Sequence, residues 1–359
     1  MATLADLPIR DDLRGLTPYG APQESVRIAL NVNENTHPIP EAVATDIVMA
    51  IAAEILTVNR YPDREFTALR EALARYLGHG LSSDNVWAAN GSNEVLQQIL
   101  QAFGGPGRSV LGFPPTYSMH SIIASGTGTR WVEAERDDAF EISPATAVAA
   151  IDREKPDLVF FCSPNNPTGT ALSLETIVAA YDATDGIVVV DEAYAEFAPE
   201  GTPSALTLLE GRPRLLVSRT MSKAFAFAGA RLGYLAADPA VTDAMRLVRL
   251  PYHLSALTQA AATAALAHSD EMLAMVDDIK AQRDRLLVEL PALGYHAWPS
   301  AANFVLFGGV PDPHALFEAL LERDIIIRDL GIPGHLRVTA GTEVETTAFL
   351  DALRELDLH

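Results

Sequence analysis

The sequence predicts an α/β protein, with a large domain on a mostly parallel central sheet covered by helices and a smaller α+β domain beside it. Three observations carry this. From about residue 40 to 250, short apolar runs alternate with helical stretches, the pattern of repeated βαβ units. Most of these runs are followed at once by chemically capable polar residues, as expected when a site lies at the carboxyl ends of parallel strands. After Pro291 the texture changes to a compact mixture of short strands and helices. A chain of 359 residues also exceeds the usual size of one domain.

Taken in order, the N-terminal stretch 1–35 has prolines and little periodicity, and it reads as an arm that packs on another surface as part of the small domain. The large domain is expected over 36–255. Its helices are expected at Glu41–Leu56, Arg64–Leu77, Glu94–Phe103 and Leu174–Asp182, from apolar residues recurring at helical spacing. Its strands are expected at Val86–Ala89, Ser109–Gly112, Asp157–Cys162, Gly186–Val190 and Arg214–Ser218. An Ala-rich helical connector spans 256–290, broken near Ser269-Asp270. The small C-terminal domain, 291–359, carries strands near Asn303–Phe307, Ile325–Asp329 and Leu336–Thr339 and helices at Pro313–Glu322 and Thr346–Leu356.

Composition narrows the function. Hydrophobic residues make up 48% of the chain, enough for a sizeable core. The one cysteine, Cys162, lies inside an apolar run and reads as a buried structural thiol. The N-terminus lacks a basic-then-apolar leader, and no uncharged apolar run approaches the ~20 residues that span a bilayer, so a cytoplasmic protein without a membrane partner is expected. A net charge of −21 argues against a nucleic-acid partner. It also means that an anionic substrate would need a local cluster of arginines. The nine histidines are scattered without ligand spacing, so no metal site is expected.

The chain has only three lysines. Lys155 and Lys280 lie in charged, surface-like contexts. Lys223, in Ser222-Lys223-Ala224-Phe225, lies in small and apolar company, where burial would lower its pKa and make it a useful nucleophile. Four further stretches follow expected strands. Gly91-Ser92-Asn93-Glu94 opens a helix, and its backbone N–H groups suit a phosphate, although the same turn is an ordinary helix N-cap. No Walker or G-x-G-x-x-G pattern occurs. Tyr117, after Pro114-Pro115-Thr116, can offer a flat face to an aromatic ligand or serve as a plain surface tyrosine. Asn165-Asn166-Pro167-Thr168-Gly169 puts an amide donor on a stiff loop, with Asn166-Pro167 a candidate cis peptide. Asp191 ends the run Ile187-Val188-Val189-Val190, where a carboxylate costs several kcal/mol unless it meets a cation or stays at the surface.

In this order (phosphate turn, Tyr117, Asn166, Asp191 with Tyr194, Lys223, Arg231) the motifs resemble fold-type I pyridoxal-phosphate aminotransferases over nearly the whole chain. The resemblance implies pyridoxal 5'-phosphate as cofactor and Lys223 as Schiff-base lysine and proton shuttle. It implies Asp191 at the ring nitrogen, Tyr194 and Asn166 at the ring oxygen, and Tyr117 stacked on the ring. Ser92, Asn93, Thr220, Ser222 and Arg231 would form the phosphate cup, and Arg337 would grip the substrate anion. A finer resemblance, to the histidinol-phosphate aminotransferase family, rests on Leu16-Thr17-Pro18-Tyr19, Leu30-Asn31-Val32-Asn33-Glu34-Asn35, Asn59-Arg60-Tyr61-Pro62-Asp63, Leu250-Pro251-Tyr252-His253-Leu254-Ser255 and Ile327-Arg328-Asp329. It implies transamination between histidinol phosphate and 2-oxoglutarate, with Tyr19, Asn166, Tyr252, Arg328 and Arg337 around the substrate. It also implies a homodimer in which Tyr61 and Tyr252 come from the neighbouring subunit, Tyr61 reaching the cofactor phosphate. An aromatic amino-acid aminotransferase shares the motifs, and a phosphoserine- or threonine-phosphate-type decarboxylase or a regulatory, non-catalytic relative shares the framework.

Overall fold

The computed structural model describes residues 2–15, 17–20 and 22–356, so Leu16 of the Leu16-Thr17-Pro18-Tyr19 motif lies outside the described residues. Strand β1 (Ile28–Ala29) leads into α1 (Glu41–Ile55) and α2 (Thr67–Leu77). Then follow β2 (Val86–Ala89), α3 (Ser92–Phe103), β3 (Ser109–Gly112), α4 (Met119–Thr127), β4 (Arg130–Glu133), α5 (Pro144–Glu154), β5 (Leu158–Cys162), α6 (Leu174–Ala183), β6 (Ile187–Asp191), β7 (Leu215–Thr220) and β8 (Gly233–Ala236). Helices α7 (Pro239–Val248), α8 (Ala256–Ala267) and α9 (Ser269–Ala292) precede β9 (His296–Ala297), β10 (Phe304–Gly308), α10 (Pro313–Leu321), β11 (Ile325–Ile326), β12 (Arg328–Asp329), β13 (Leu336–Thr339) and α11 (Glu343–Leu356).

The large sheet has seven strands in the order β2-β8-β7-β6-β5-β3-β4, and only β8 runs against its neighbours. Its five central strands, β8, β7, β6, β5 and β3, are almost wholly buried and apolar, as strands covered on both faces must be. Each large side chain buried there is worth about 1.5–3 kcal/mol. In-register pairing sets Cys162 beside Asp191, Asp191 beside Ser218 and Thr220 beside Gly233, so the polar strand ends form one row. Gly233 is needed for this row to meet α3. A Cβ there would lie 2.1 Å from the Ser92 amide nitrogen, so the first turn of α3 rests directly on the backbone of β8.

The remaining strands form an antiparallel sheet, β12-β13-β10-β9, and a parallel pair, β1-β11. The pairing of Ile28 with Ile325 and Ala29 with Ile326 attaches the N-terminal segment to the C-terminal part of the chain.

The expected elements are present, with shifts that have local causes. The helix expected from Arg64 begins at Thr67. The Asp63 carboxylate accepts from the Glu65 and Thr67 amides, and buried Phe66 takes a left-handed φ of 39°. The strand expected over Ile325–Asp329 is two, because the chain changes sheets at Ile327: β11 pairs with β1 and β12 with β13. The last helix starts at Glu343 rather than Thr346, since Thr342 and Glu345 cap each other reciprocally. The connector breaks at His268, beside the expected Ser269. Asn166-Pro167 is cis, as are Pro114-Pro115 and Ser163-Pro164.

Candidate active site

A cavity of about 290 Å³ lies where the carboxyl ends of β5–β7 and the first turn of α3 meet the N-terminal segment and the small antiparallel sheet. Every residue to which the resemblance gives a cofactor or substrate role lines it except Tyr61 and Tyr252.

Lys223 stands on the turn that follows β7, half-buried in the cavity wall. Its Nζ donates to the Val32 carbonyl at 2.9 Å. Burial brings its pKa down to about 8; the charge of Arg337 and, less strongly, of Arg231 acts the same way, while Glu34 opposes them. The other two lysines are paired at the surface, Lys155 with Asp152 and Lys280 with Asp277.

Asp191 is 1% exposed. One carboxylate oxygen accepts from the Ser218 hydroxyl at 3.1 Å, and the other lies 3.2 Å from Nε2 of buried His120. The Tyr194 hydroxyl accepts from Asn33 Nδ2 at 3.0 Å and, more weakly, from Asn166 Nδ2 at 3.4 Å. Burial pushes the Tyr194 and Tyr117 phenols well above the usual range, so both stay protonated. Tyr117 donates to Asn93 Oδ1 at 3.2 Å, which ties the Pro-stiffened loop to the start of α3.

At the other end of the cavity, Ser92 and Asn93 form the first turn of α3, whose amides have no partner within the helix. The Thr220 hydroxyl accepts from the Ser222 amide at 3.1 Å. Arg231, at a left-handed φ of 58°, lays its guanidinium over Gly91; a Cβ at Gly91 would meet Nη2 at 2.4 Å. Glycine is needed there twice over, since its own φ is 87°.

The third wall is arginine. Arg328 and Arg337 are directly opposite each other across β12 and β13. Arg337 donates to Asn166 Oδ1 and, at 2.8 Å, to the Asn31 carbonyl, and it lies 5.0 Å from the centre of the Phe304 ring. Arg337 Nε and Arg328 Nη1 are buried without partners, and neither residue has an ion pair among the described residues. Burial brings the Arg337 pKa down to about 10. An uncompensated buried cation such as Arg337 costs several kcal/mol, and half-buried Arg328 opposite it adds like-charge repulsion. The cavity is therefore built to receive negative charge at this wall, inside a chain whose net charge is −21. Tyr19, half exposed, lines the mouth beside Asn31 and Val32.

Tyr61 and Tyr252 are elsewhere. They stack on each other, ring centres 4.4 Å apart at 15°, and are exposed at 80% and 39%. Two residues that support the site carried no role in the sequence reading, Asn33 in the cavity wall and His120 buried behind Asp191. Asn33 was noted only as part of a motif, and its contact with Tyr194 spans 161 positions. His120 lies 71 positions from Asp191; no spacing rule connects them, although its place three residues after Tyr117 puts it in the first turn of α4 beneath that loop.

The family description "Aminotransferase class I and II" matches residues 26–353. A histidinol-phosphate aminotransferase of Paenarthrobacter aurescens is 64% identical, the alignment covering 98% of this chain and 95% of that protein. One from Thermobifida fusca is 58% identical, covering 98% and 96%. Among solved structures, histidinol-phosphate aminotransferase from Sinorhizobium meliloti in complex with pyridoxal-5'-phosphate superposes with a TM-score of 0.87 at 28% identity, covering 98% of both chains. With a match of this extent and relatives of this identity, the chain belongs to the histidinol-phosphate aminotransferase family of the class I and II aminotransferases.

Proposed function

We propose that the protein transfers the amino group of L-histidinol phosphate to 2-oxoglutarate in a ping-pong reaction of histidine biosynthesis, giving imidazole-acetol phosphate and glutamate, with pyridoxal 5'-phosphate as cofactor. The observation that carries this is one cavity holding a lysine of lowered pKa and a wall of two uncompensated arginines.

The residues fit the cofactor. Arg231, the first-turn amides of α3 and the hydroxyls of Ser92, Thr220 and Ser222 would hold its phosphate. Buried Asp191 would accept from its ring nitrogen, and Tyr194 and Asn166 would donate to its ring oxygen. Tyr117 would cover its face. When bound, pyridoxal phosphate supplies an aldehyde that condenses with amines and a ring that accepts the electron pair left at the substrate Cα.

The chain's own groups do the rest. The buried carboxylate of Asp191, oriented by Ser218 and His120, favours a protonated ring nitrogen. A pKa near 8 lets the Lys223 amine lose its proton at modest cost, and Nζ then takes the Cα proton. Arg337 and Arg328 orient the anionic end of either substrate, the phosphate in one half-reaction and the distal carboxylate in the other. Tyr19 and the N-terminal segment shield the mouth from water.

We further place the active form as a homodimer. Tyr61 and Tyr252 stack on each other outside their own cavity, and the chain segments near them in sequence also expose Met49, Leu56, Val58 and Leu250. A second copy would cover this patch and receive the two tyrosines at its own site. A biosynthetic role of this kind fits the cytoplasm; among the described residues no helix is long and apolar enough to cross a membrane.

The test is turnover of histidinol phosphate with 2-oxoglutarate, compared with phenylalanine as donor. We expect a kcat/KM higher for histidinol phosphate by about 10² or more, since the single carboxylate of phenylalanine satisfies two facing arginines less fully than a phosphate dianion does. We also expect Lys223→Ala to lose about 10³ or more in kcat. Equal rates with both donors would overturn the substrate assignment, and full turnover in Lys223→Ala would overturn the mechanism.

A further inference from the structure

We propose that Asn33 is a positioning residue that, together with Thr339, fixes the direction of the Tyr194 hydroxyl proton and so tunes the proton affinity of the bound cofactor. The inference rests on the cofactor reading above and assigns a role to a cavity side chain that acts through Tyr194.

The Asn33 backbone N–H donates to Thr339 Oγ1 at 3.1 Å, which uses that oxygen as an acceptor. The Thr339 hydroxyl in turn donates to Asn33 Oδ1 at 3.1 Å. With its carbonyl oxygen held by Thr339, the Asn33 amide can turn only its NH₂ toward Tyr194, and Nδ2 donates to the Tyr194 hydroxyl at 3.0 Å. Asn166 Nδ2, at 3.4 Å, is a second, longer donor to the same oxygen. A phenol oxygen that accepts from its neighbours cannot aim its own proton at them. Among the described residues that proton has no acceptor, and Tyr194 lines the cavity, so the proton is directed inward.

Everything that sets this polarity is rigid. Asn33 and Thr339 are each 1% exposed. Asn33 has a left-handed φ of 58°, a conformation that asparagine tolerates better than most residues. Its carbonyl accepts from Asn303 Nδ2 at 3.1 Å, and the Thr339 amide donates to the Leu30 carbonyl at 2.9 Å. Thr339 lies two residues beyond Arg337 on β13. The chain of oriented hydrogen bonds therefore runs from the strand bearing the anion-binding arginine to the phenol that faces the cofactor oxygen. A donor held on that oxygen favours its deprotonated form, and losing the donor raises the cofactor's proton affinity.

The test is a pH titration of the absorbance of the reconstituted pyridoxal-phosphate holoenzyme, with cofactor affinity measured by equilibrium dialysis. Asn33→Asp keeps the left-handed backbone but presents an acceptor, which draws the Tyr194 proton away from the cavity. We expect the spectroscopic pKa to rise by about one unit or more, since a hydrogen bond to a charged group is worth about 1.5–3 kcal/mol. Asn33→Gly removes the donor without backbone strain and should give a smaller rise. Thr339→Val frees the Asn33 amide to flip and should raise the pKa, whereas Thr339→Ser, which keeps the hydroxyl, should restore the wild-type value. If all four variants bind the cofactor and titrate as the wild type does, the inference is wrong. So it is if affinity falls in each while the pKa does not move, which is the signature of a merely structural role. A wild-type holoenzyme whose absorbance survives Lys223→Ala unchanged would instead sink the cofactor reading, and this inference with it.

Discussion

Removing the lysine should stabilise the cofactor-free protein, and should do so in a pH-dependent way. The perturbation is Lys223→Met, which keeps the length and apolar body of the side chain. Burial in the cavity wall, with Arg337 and Arg231 nearby, lowers the Lys223 pKa from 10.5 to about 8. In the unfolded chain the amine keeps its ordinary value. Below pH 8 both states are protonated, and the folded state bears the full cost of the charge. Between pH 8 and 10.5 the folded state has released its proton while the unfolded state still holds one, so wild-type stability rises with pH. Above 10.5 both are neutral and the cost is gone. A shift of this size corresponds to about 3 kcal/mol, and nearer 2 once solvent in the open cavity is counted. Methionine also loses the bond from Nζ to the Val32 carbonyl, a loss of about 1 kcal/mol. The slope against pH is therefore the decisive quantity. The assay is urea denaturation of the apo-proteins from pH 7 to 10.5. At pH 7 the variant should be more stable by about 1–2 kcal/mol, and the gap should close and then reverse slightly toward pH 10.5. Parallel curves for the two proteins would refute the reasoning, because they would mean that the amine titrates normally in the fold.

Gly91→Ala should weaken pyridoxal-phosphate binding by about tenfold or more, because the new Cβ at 2.4 Å displaces the Arg231 guanidinium and the φ of 87° adds strain; an unchanged dissociation constant would show that Arg231 does not hold the phosphate. Arg219→Met should cost about 3–5 kcal/mol in urea denaturation, since Arg219 bridges buried Glu192 and Glu196 directly behind the ends of β6 and β7; a loss below about 1 kcal/mol would show that these carboxylates do not depend on it. Mixing inactive Lys223→Ala with a weakened Tyr61→Ala variant and letting subunits exchange should restore about a quarter of wild-type sites, because half the dimers are mixed and each has one intact cavity. No recovery after exchange, with dimers confirmed by light scattering, would place Tyr61 outside the partner's site.

Much of the site was legible because its chemistry sits at strand ends, where a strand's apolar run announces the polar residue that follows. Asp191 after four β-branched residues and Lys223 in apolar company are signals of that kind. Local patterns say less about what crosses the fold. Strand β8 was missed because Gly233-Tyr-Leu-Ala is short and begins with a glycine, and that glycine is kept for the approach of α3 rather than for strand formation. Strand β4 was missed because Arg130–Glu133 is a half-exposed edge with two charges. The two sheets that share Ile325–Asp329 could not be separated in sequence, since each takes only two residues. Asn33 and His120 are the sharper case. Neither residue type is unusual, and each acts on a group more than 70 positions away through one hydrogen bond. The groups that meet substrate are written as motifs because one segment supplies several at once. The groups that orient them are written only in the fold, one donor and one acceptor at a time. Residues of this second kind therefore show only when every hydrogen bond around a group already known to matter is followed, as in the three-residue relay from Thr339 through Asn33 to Tyr194.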